Sequence, residues 1–312
     1  MVRIDLITGF LGSGKTTFIR KYAEHLLKKG ERLGILENDY GAVNVDTMLL
    51  SDLEGENCGL ESVSGACDLD CHRRRFKTKL IALGMSGYDR VLIEPSGIFD
   101  IDEFFDALWE PPLDQWYRIG SVIAVVDAKL EGGLSENSEF LLASQLANAG
   151  AVILSKTQLA LESDISSTID RLNRAMERFG CARRFDRDSI IAKPWDELTD
   201  DELDGIAQSG YVAADYVKTL TSHDDGGYRS LYFLNSGLRR DSLMSAVNAL
   251  MSDPGFGRVF RLKGFLREGE GWLEINATRE STELRSIDRG QDILIVIGEN
   301  LNERKIRELL KT

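Results

Sequence analysis

The chain has 312 residues, 43% hydrophobic and 29% charged, the balance of an ordinary globular protein with room for two domains. Its formal net charge of −13 repels phosphate backbones and argues against a general nucleic-acid binder. No apolar run approaches the ~20 residues of a membrane span, no leader precedes the first strand, and four cysteines make no disulfide framework, so a cytoplasmic chain with reduced thiols and no membrane partner is expected.

In chain order, Ile4–Thr8 reads as a buried strand. Phe18, Ile19, Tyr22, Ala23, Leu26 and Leu27 then share one helical stripe, which Gly30 closes. Further strands are expected at 33–36, 91–93, 122–126 and 151–154, with helices at about 72–84, 101–109, 138–148 and 163–178 and a short strand near 189–192. This alternation predicts an α/β fold, a parallel sheet with crossover helices. Residues 194–226 are polar and acidic, and the rhythm then changes. Strands are expected at 228–235, 258–266, 272–276 and 293–297, and helices at 241–251 and 302–310. Neighbouring strands joined by a short turn make this a smaller α+β domain. The expected division is therefore residues 1–195, an acidic linker over 196–226, and residues 227–312.

Between the first strand and first helix stands Gly9-Phe10-Leu11-Gly12-Ser13-Gly14-Lys15-Thr16, which fits G-x-x-x-x-G-K-[ST] at every fixed position. Glycines let the backbone curl so that N–H groups point at phosphate oxygens, and the helix that follows adds the positive end of its dipole. Lys15 is placed to reach the β- and γ-phosphates, and the Thr16 hydroxyl to take one position on Mg²⁺. Downstream, Val91-Leu92-Ile93-Glu94-Pro95-Ser96-Gly97 is a strand ending in a carboxylate with a glycine three residues later. Behind a complete phosphate loop, Glu94 is the expected Mg²⁺ partner and Gly97 the expected γ-phosphate neighbour.

These segments, with Leu36-Glu37-Asn38-Asp39-Tyr40-Gly41 and Val125-Val126-Asp127-Ala128, resemble the CobW branch of the CobW/HypB/UreG group of P-loop GTPases. Ser222-His223-Asp224, Tyr228-Arg229-Ser230, Arg261-Leu262-Lys263-Gly264-Phe265 and Ile297-Gly298 resemble the domain that follows in CobW-type proteins. The resemblance implies a P-loop NTPase sheet and a GTP-hydrolysing metallochaperone or metal-site assembly factor for zinc, cobalt or nickel. It assigns Gly9, Gly12, Ser13, Gly14, Lys15, Thr16, Thr17, Gly97, Lys156 and Gln158 to the nucleotide. Lys15, Thr16 and Glu94 fall to hydrolysis with Mg²⁺. The implied partners are the nucleotide and a client metalloprotein or cofactor-assembly enzyme, with a homodimer left open.

Three positions depart from the family's pattern. The base-reading N-K-x-D is here Ser155-Lys156-Thr157-Gln158. An amide offers one acceptor and one donor group where a carboxylate offers acceptors alone, so GTP is expected with weaker preference than usual. The metal motif C-x-C-C is here a C-x₃-C pair, Cys67 and Cys71, with His72 adjacent and Cys58 upstream. Thiolates and an imidazole suit Zn²⁺, and Glu37 matches a family acid that contributes to the site. The histidine-rich segment is missing, since only His25, His72 and His223 are present. His25 is read as structural and Cys181 as packing. The expected mechanism is a switch in which nucleotide orders 36–46 and 94–97, and metal is held in one state and released in the other. The alternatives are a nucleotide hydrolase in cobalamin or metalloenzyme assembly with no transition-metal site of its own, and a P-loop kinase.

Overall fold

The computed structural model describes residues 1–38, 49–63, 69–97, 101–217, 228–279, 281–288 and 290–310. The expectations for Cys67, His223 and residues 39–46 lie outside them. The chain divides into two compact units, Met1–Thr219 and Leu220–Thr312.

The first unit is built on a parallel sheet of β1 (Val2–Thr8), β2 (Leu33–Asn38), β3 (Cys58–Val63), β4 (Arg90–Pro95), β5 (Tyr117–Asp127), β6 (Ala151–Ser155) and β7 (Ile191–Ala192). Their order is β3-β2-β4-β1-β5-β6-β7. Side chains alternate across it, and both faces are apolar, as a parallel sheet covered on both sides requires. Ile4, Leu6, Val91, Ile93, Val122, Ala124, Val152 and Leu154 belong to one core. It lies under α2 (Leu69–Met85), α3 (Ile101–Trp109), α4 (Glu136–Ala147) and α5 (Glu162–Arg178). Ile7, Leu92, Ile123, Val125 and Ile153 face the other way, under α1 (Lys15–Lys28) and α6 (Asp200–Ala207). Each such fully buried Leu, Ile or Val contributes about 1.5–3 kcal/mol.

Two elements of this unit correct the sequence reading. β3 was not anticipated because it is an edge strand buried only at its ends, with Gly59, Glu61 and Ser62 breaking its apolar pattern. The expected acidic linker contains α6. Its carboxylates mark a helix start, since Asp200, Asp201 and Glu202 fill the first turn, where the dipole favours negative charge. Thr199 Oγ1 accepts from Glu202 N at 3.2 Å, and Thr199 N donates to Glu202 Oε2 at 2.9 Å, which completes a capping box. Leu203, Ile206 and Ala207 are buried in the α1 core. The His25 ring bridges the two helices, with Nδ1 3.1 Å from Asp200 Oδ1 and Nε2 2.8 Å from Asp204 Oδ1. Lys29 pairs with Asp204 beside it. Farther along, Val217 N donates to Phe179 O at 2.7 Å, so the strap through 217 belongs to the first unit.

A buried polar cluster joins these elements at the amino ends of the strands. Arg90 Nη1 lies 2.6 Å from Asp5 Oδ2, and both side chains are sealed from solvent. Tyr22 OH from α1 and Ser121 N from β5 also donate to the Asp5 carboxylate, each at 2.8 Å. Arg90 reaches Glu31 Oε2 through Nε at 2.9 Å and Ala207 O through Nη1 at 3.3 Å.

The second unit is an antiparallel sheet of β8 (Tyr228–Leu234), β9 (Arg258–Glu268), β10 (Gly271–Thr278), β11 (Thr282–Ile287) and β12 (Ile293–Glu299), ordered β11-β10-β9-β12-β8. α7 (Arg240–Ser252) and α8 (Glu303–Leu310) share its core through Leu243, Val247, Leu250, Ile306 and Leu310. β11, the polar edge strand, was not anticipated either. Among the described residues no helix is long and apolar enough to cross a membrane.

Two predictions follow from this packing. Arg90→Leu removes one partner of a buried ion pair and should cost about 3–5 kcal/mol of unfolding free energy, measured by urea denaturation. The second concerns acid. Lys28 and then His25 hold the Asp200 carboxyl below its ordinary value, Lys29 and then His25 do the same for Asp204, and Lys193 for Glu202. Groups lowered in the folded state stabilise it above the ordinary carboxylate value and lose that contribution as pH falls through the folded one. Amide NMR shifts of 200–207 should therefore move as the pH falls below about 4; shifts that stay steady from pH 5 down to pH 3 would contradict the carboxylate latch.

Candidate nucleotide site

Parallel strands place all their carboxyl ends on one edge of the sheet, where ligands bind in open α/β folds. The phosphate loop leaves β1 there and doubles back into α1. At Gly9 the backbone has φ 150°, and a Cβ added to it would lie 2.1 Å from the Val125 carbonyl oxygen. Only glycine allows that approach. Gly12 and Gly14 follow with φ of 74° and 87°. Lys15 is buried, its ammonium donating to Gly9 O at 3.0 Å. Ser13 Oγ and Thr8 Oγ1 are buried with no hydrogen-bond partner among the described residues. Thr17 is exposed in the first turn of α1.

Thr16 Oγ1 donates to Glu94 Oε1 at 2.9 Å, across 78 residues of sequence. The contact exists because β1 and β4 are adjacent and parallel, so Glu94 at the end of β4 stands beside the start of α1. Gly97 presses on the loop, since a Cβ there would meet Leu11 N at 2.8 Å. Its carbonyl accepts from Gln145 Nε2 at 3.1 Å, and Gln145 is buried on α4. Sequence reading missed Gln145; an amide within the apolar run Leu141–Ala147 was the available signal.

The segment expected to read the base also reaches the loop. A Cβ on Gly14 would sit 3.5 Å from Ser155 Cβ, and Ser155 Oγ donates to Val126 O at 3.3 Å. Lys156 takes a left-handed conformation, φ 54°, and its ammonium pairs with Asp127 Oδ2 at 2.6 Å. Gln158 is exposed on the short helical turn Thr157–Leu159.

The proposed transition-metal ligands are more dispersed. Glu37 is the register partner of Glu94, and strand alternation puts it on the α1 face. Cys71 and His72 lie on α2, which covers the opposite face. Successive helical residues diverge by about 100°. His72 turns inward and continues the buried stripe of Phe76, Leu80 and Leu83, while Cys71 is half-buried. Cys58 is buried in β3, and desolvation, then the Glu54 charge, pushes its thiol up to about 11, far from the thiolate that binds metal. Among the described residues no group of three or more His, Cys, Asp or Glu is arranged to hold an ion. Cys181 is buried in the core, as its packing role required.

A glycine cradle that any Cβ would fill, two buried hydroxyls with spare hydrogen-bonding capacity, and a hydroxyl–carboxylate pair at a helix start fit a phosphate chain with a divalent cation. The family model for the CobW/HypB/UreG nucleotide-binding domain matches residues 3–180. The chain belongs to this family. The zinc chaperone YeiR of Escherichia coli is 32% identical over 158 residues, 50% of this chain and 47% of that protein. The zinc chaperone YjiA of Escherichia coli is 30% identical over 185 residues, 55% of each chain. The matched region thus spans about half the length of these relatives. The Zn(II)-bound YjiA GTPase structure from E. coli aligns over 99% of this chain and 97% of its own, at 18% identity and a TM-score of 0.37. HypB from Helicobacter pylori in complex with nickel aligns over 65% and 82%, at 16% identity and 0.40.

Gly97→Ala tests the close approach to the loop. The added methyl group meets backbone rather than a movable side chain, so overpacking should cost about 1–3 kcal/mol and lower the Tm in thermal denaturation.

Proposed function

We propose that this CobW/HypB/UreG-family chain binds and hydrolyses GTP with Mg²⁺, and uses that cycle to deliver a transition metal, zinc first, to a client metalloprotein. The observation that carries the reading is the Thr16–Glu94 hydrogen bond beside a buried Lys15. The hydroxyl, the carboxylate and the nearby ammonium are the groups that binding a triphosphate with its cation calls for. Mg²⁺ would supply charge neutralisation to the phosphates. Thr16 and Glu94 would hold it, Lys15 would balance the β- and γ-oxygens, and the loop from Gly9 to Thr17 would cradle the phosphates. Gly97, fixed by Gln145, brings its N–H toward the γ-phosphate. Lys156 and Gln158 take the base. Hydrolysis of this kind needs positioning more than covalent chemistry, and unassisted turnover should be on the order of 10⁻⁴ to 10⁻² per second.

Zinc is supported by the relatives named as zinc chaperones. The cargo ligands would be the Cys67 and Cys71 thiolates, with Glu37 and His72 as further candidates. A second reading, a nucleotide hydrolase serving metal-site assembly without its own transition-metal site, is favoured by the place of His72 in the buried stripe of α2. One comparison separates them. The Cys67→Ala/Cys71→Ala double variant should lose at least tenfold in Zn²⁺ affinity while hydrolysing GTP at the wild-type rate; equal affinity supports the second reading. Lys15→Ala, assayed alongside, should abolish hydrolysis, and unchanged turnover there would end both.

A further inference from the structure

We infer that the base subsite at the ends of β5 and β6 accepts both purines, so that this chain is a purine nucleoside triphosphatase rather than a strict GTPase, with Gln158 as the residue that sets this tolerance. The inference rests on the nucleotide reading above and sharpens its substrate class. Lys156 is anchored, its Nζ 2.6 Å from Asp127 Oδ2, which leaves its aliphatic stem as the apolar surface this turn can offer a flat ring. Asp127 also accepts from Lys129 N at 2.8 Å, so each of its carboxylate oxygens already holds one hydrogen bond. Gln158, two residues beyond Lys156, is exposed, and its amide makes no hydrogen bond among the described residues. Beneath it Thr157 Oγ1 is buried without a partner among those residues. The polar groups free in this turn are thus an amide and a hydroxyl, each both donor and acceptor.

Base chemistry decides what such a turn can read. Guanine presents O6 as an acceptor next to the N1–H donor, with the N2 amine beyond. Adenine presents the N6 amine as a donor next to the N1 acceptor. A carboxylate accepts from both N1–H and N2–H₂ of guanine and meets only repulsion at adenine N1. An amide pairs with O6 and N1–H in one orientation and, turned by half a revolution, with N6–H and N1 of adenine. An unanchored, exposed Gln158 is free to make that turn at little cost. Side-chain amides pair in bidentate fashion with adenine N6 and N7 in DNA readout, and the N6–N1 edge offers the same adjacent donor and acceptor. A site built for one hydrogen-bonding pattern rejects the other by about 10⁴-fold or more; a reversible amide should leave the two purines within about tenfold of each other.

The test is competition binding on the full chain with Mg²⁺ present, using GTP, ATP and inosine triphosphate on wild type, Gln158→Asp and Lys15→Ala. Wild type should bind GTP and ATP within about tenfold, and inosine triphosphate as tightly as GTP, because the amide does not use the N2 amine. Gln158→Asp should shift the GTP-to-ATP ratio toward GTP by at least about 100-fold and make inosine triphosphate weaker than GTP. A wild type that binds GTP but rejects ATP by a thousandfold overturns the inference and leaves the nucleotide reading standing. An unchanged ratio in Gln158→Asp overturns the role given to Gln158. Failure of wild type to bind any of the three, or equal binding by Lys15→Ala, overturns the phosphate-loop reading itself and the inference with it.

Discussion

The adjacency of β1 and β4 is the constraint on which the site depends. Thr16 and Glu94 come from separate βα units, and only the parallel pairing of those strands brings them to 2.9 Å. The pairing of β4 with β2 on its other side sets Glu37 level with Glu94, and Gly97 beyond β4 comes against Leu11. A register slip of one residue would turn Glu94 to the opposite face, away from α1. The apolar alternation that fixes this register is therefore as much a part of the chemistry as the phosphate loop.

The loop itself was legible in the sequence because its determinants are local. Gly9, Gly12 and Gly14 answer backbone demands within eight residues, and Lys15 and Thr16 follow at fixed spacing. Long apolar strands such as Val122–Val126 were legible for a related reason, since burial on both faces leaves no polar interruption. β3 and β11 escaped because edge strands bury little, and their composition resembles that of loops. α6 escaped because its cluster of acids suggested solvent, although the same acids are favourable in the first turn of a helix. Asp5 and Arg90 escaped for a deeper reason. A charge in a one-dimensional pattern reads as surface, and its burial is apparent only when the partner 85 residues away is in place.

In the first unit, the groups proposed for the nucleotide and those proposed for the metal differ in arrangement. The former are rigidly held: Lys156 by Asp127, Gly97 by Gln145, and the loop by the Val125 carbonyl. Among the described residues, the candidate cargo ligands Glu37 and His72 sit on opposite faces of the sheet, and His72 serves the packing of α2. Preorganised groups suit tight binding of one chemical form, and dispersed ones suit a ligand set that forms in one state and dissolves in another.

The strap from α6 to residue 217 bears on how the chain can be divided. It covers α1, engages both ring nitrogens of His25, and caps the Arg90 guanidinium with the Ala207 carbonyl. The seam for an independently folding nucleotide fragment therefore falls after 217. A cut at 195 would discard a wall of the hydrophobic interior along with the acidic tail, and expose Leu26, Tyr22 and the ion pair to water.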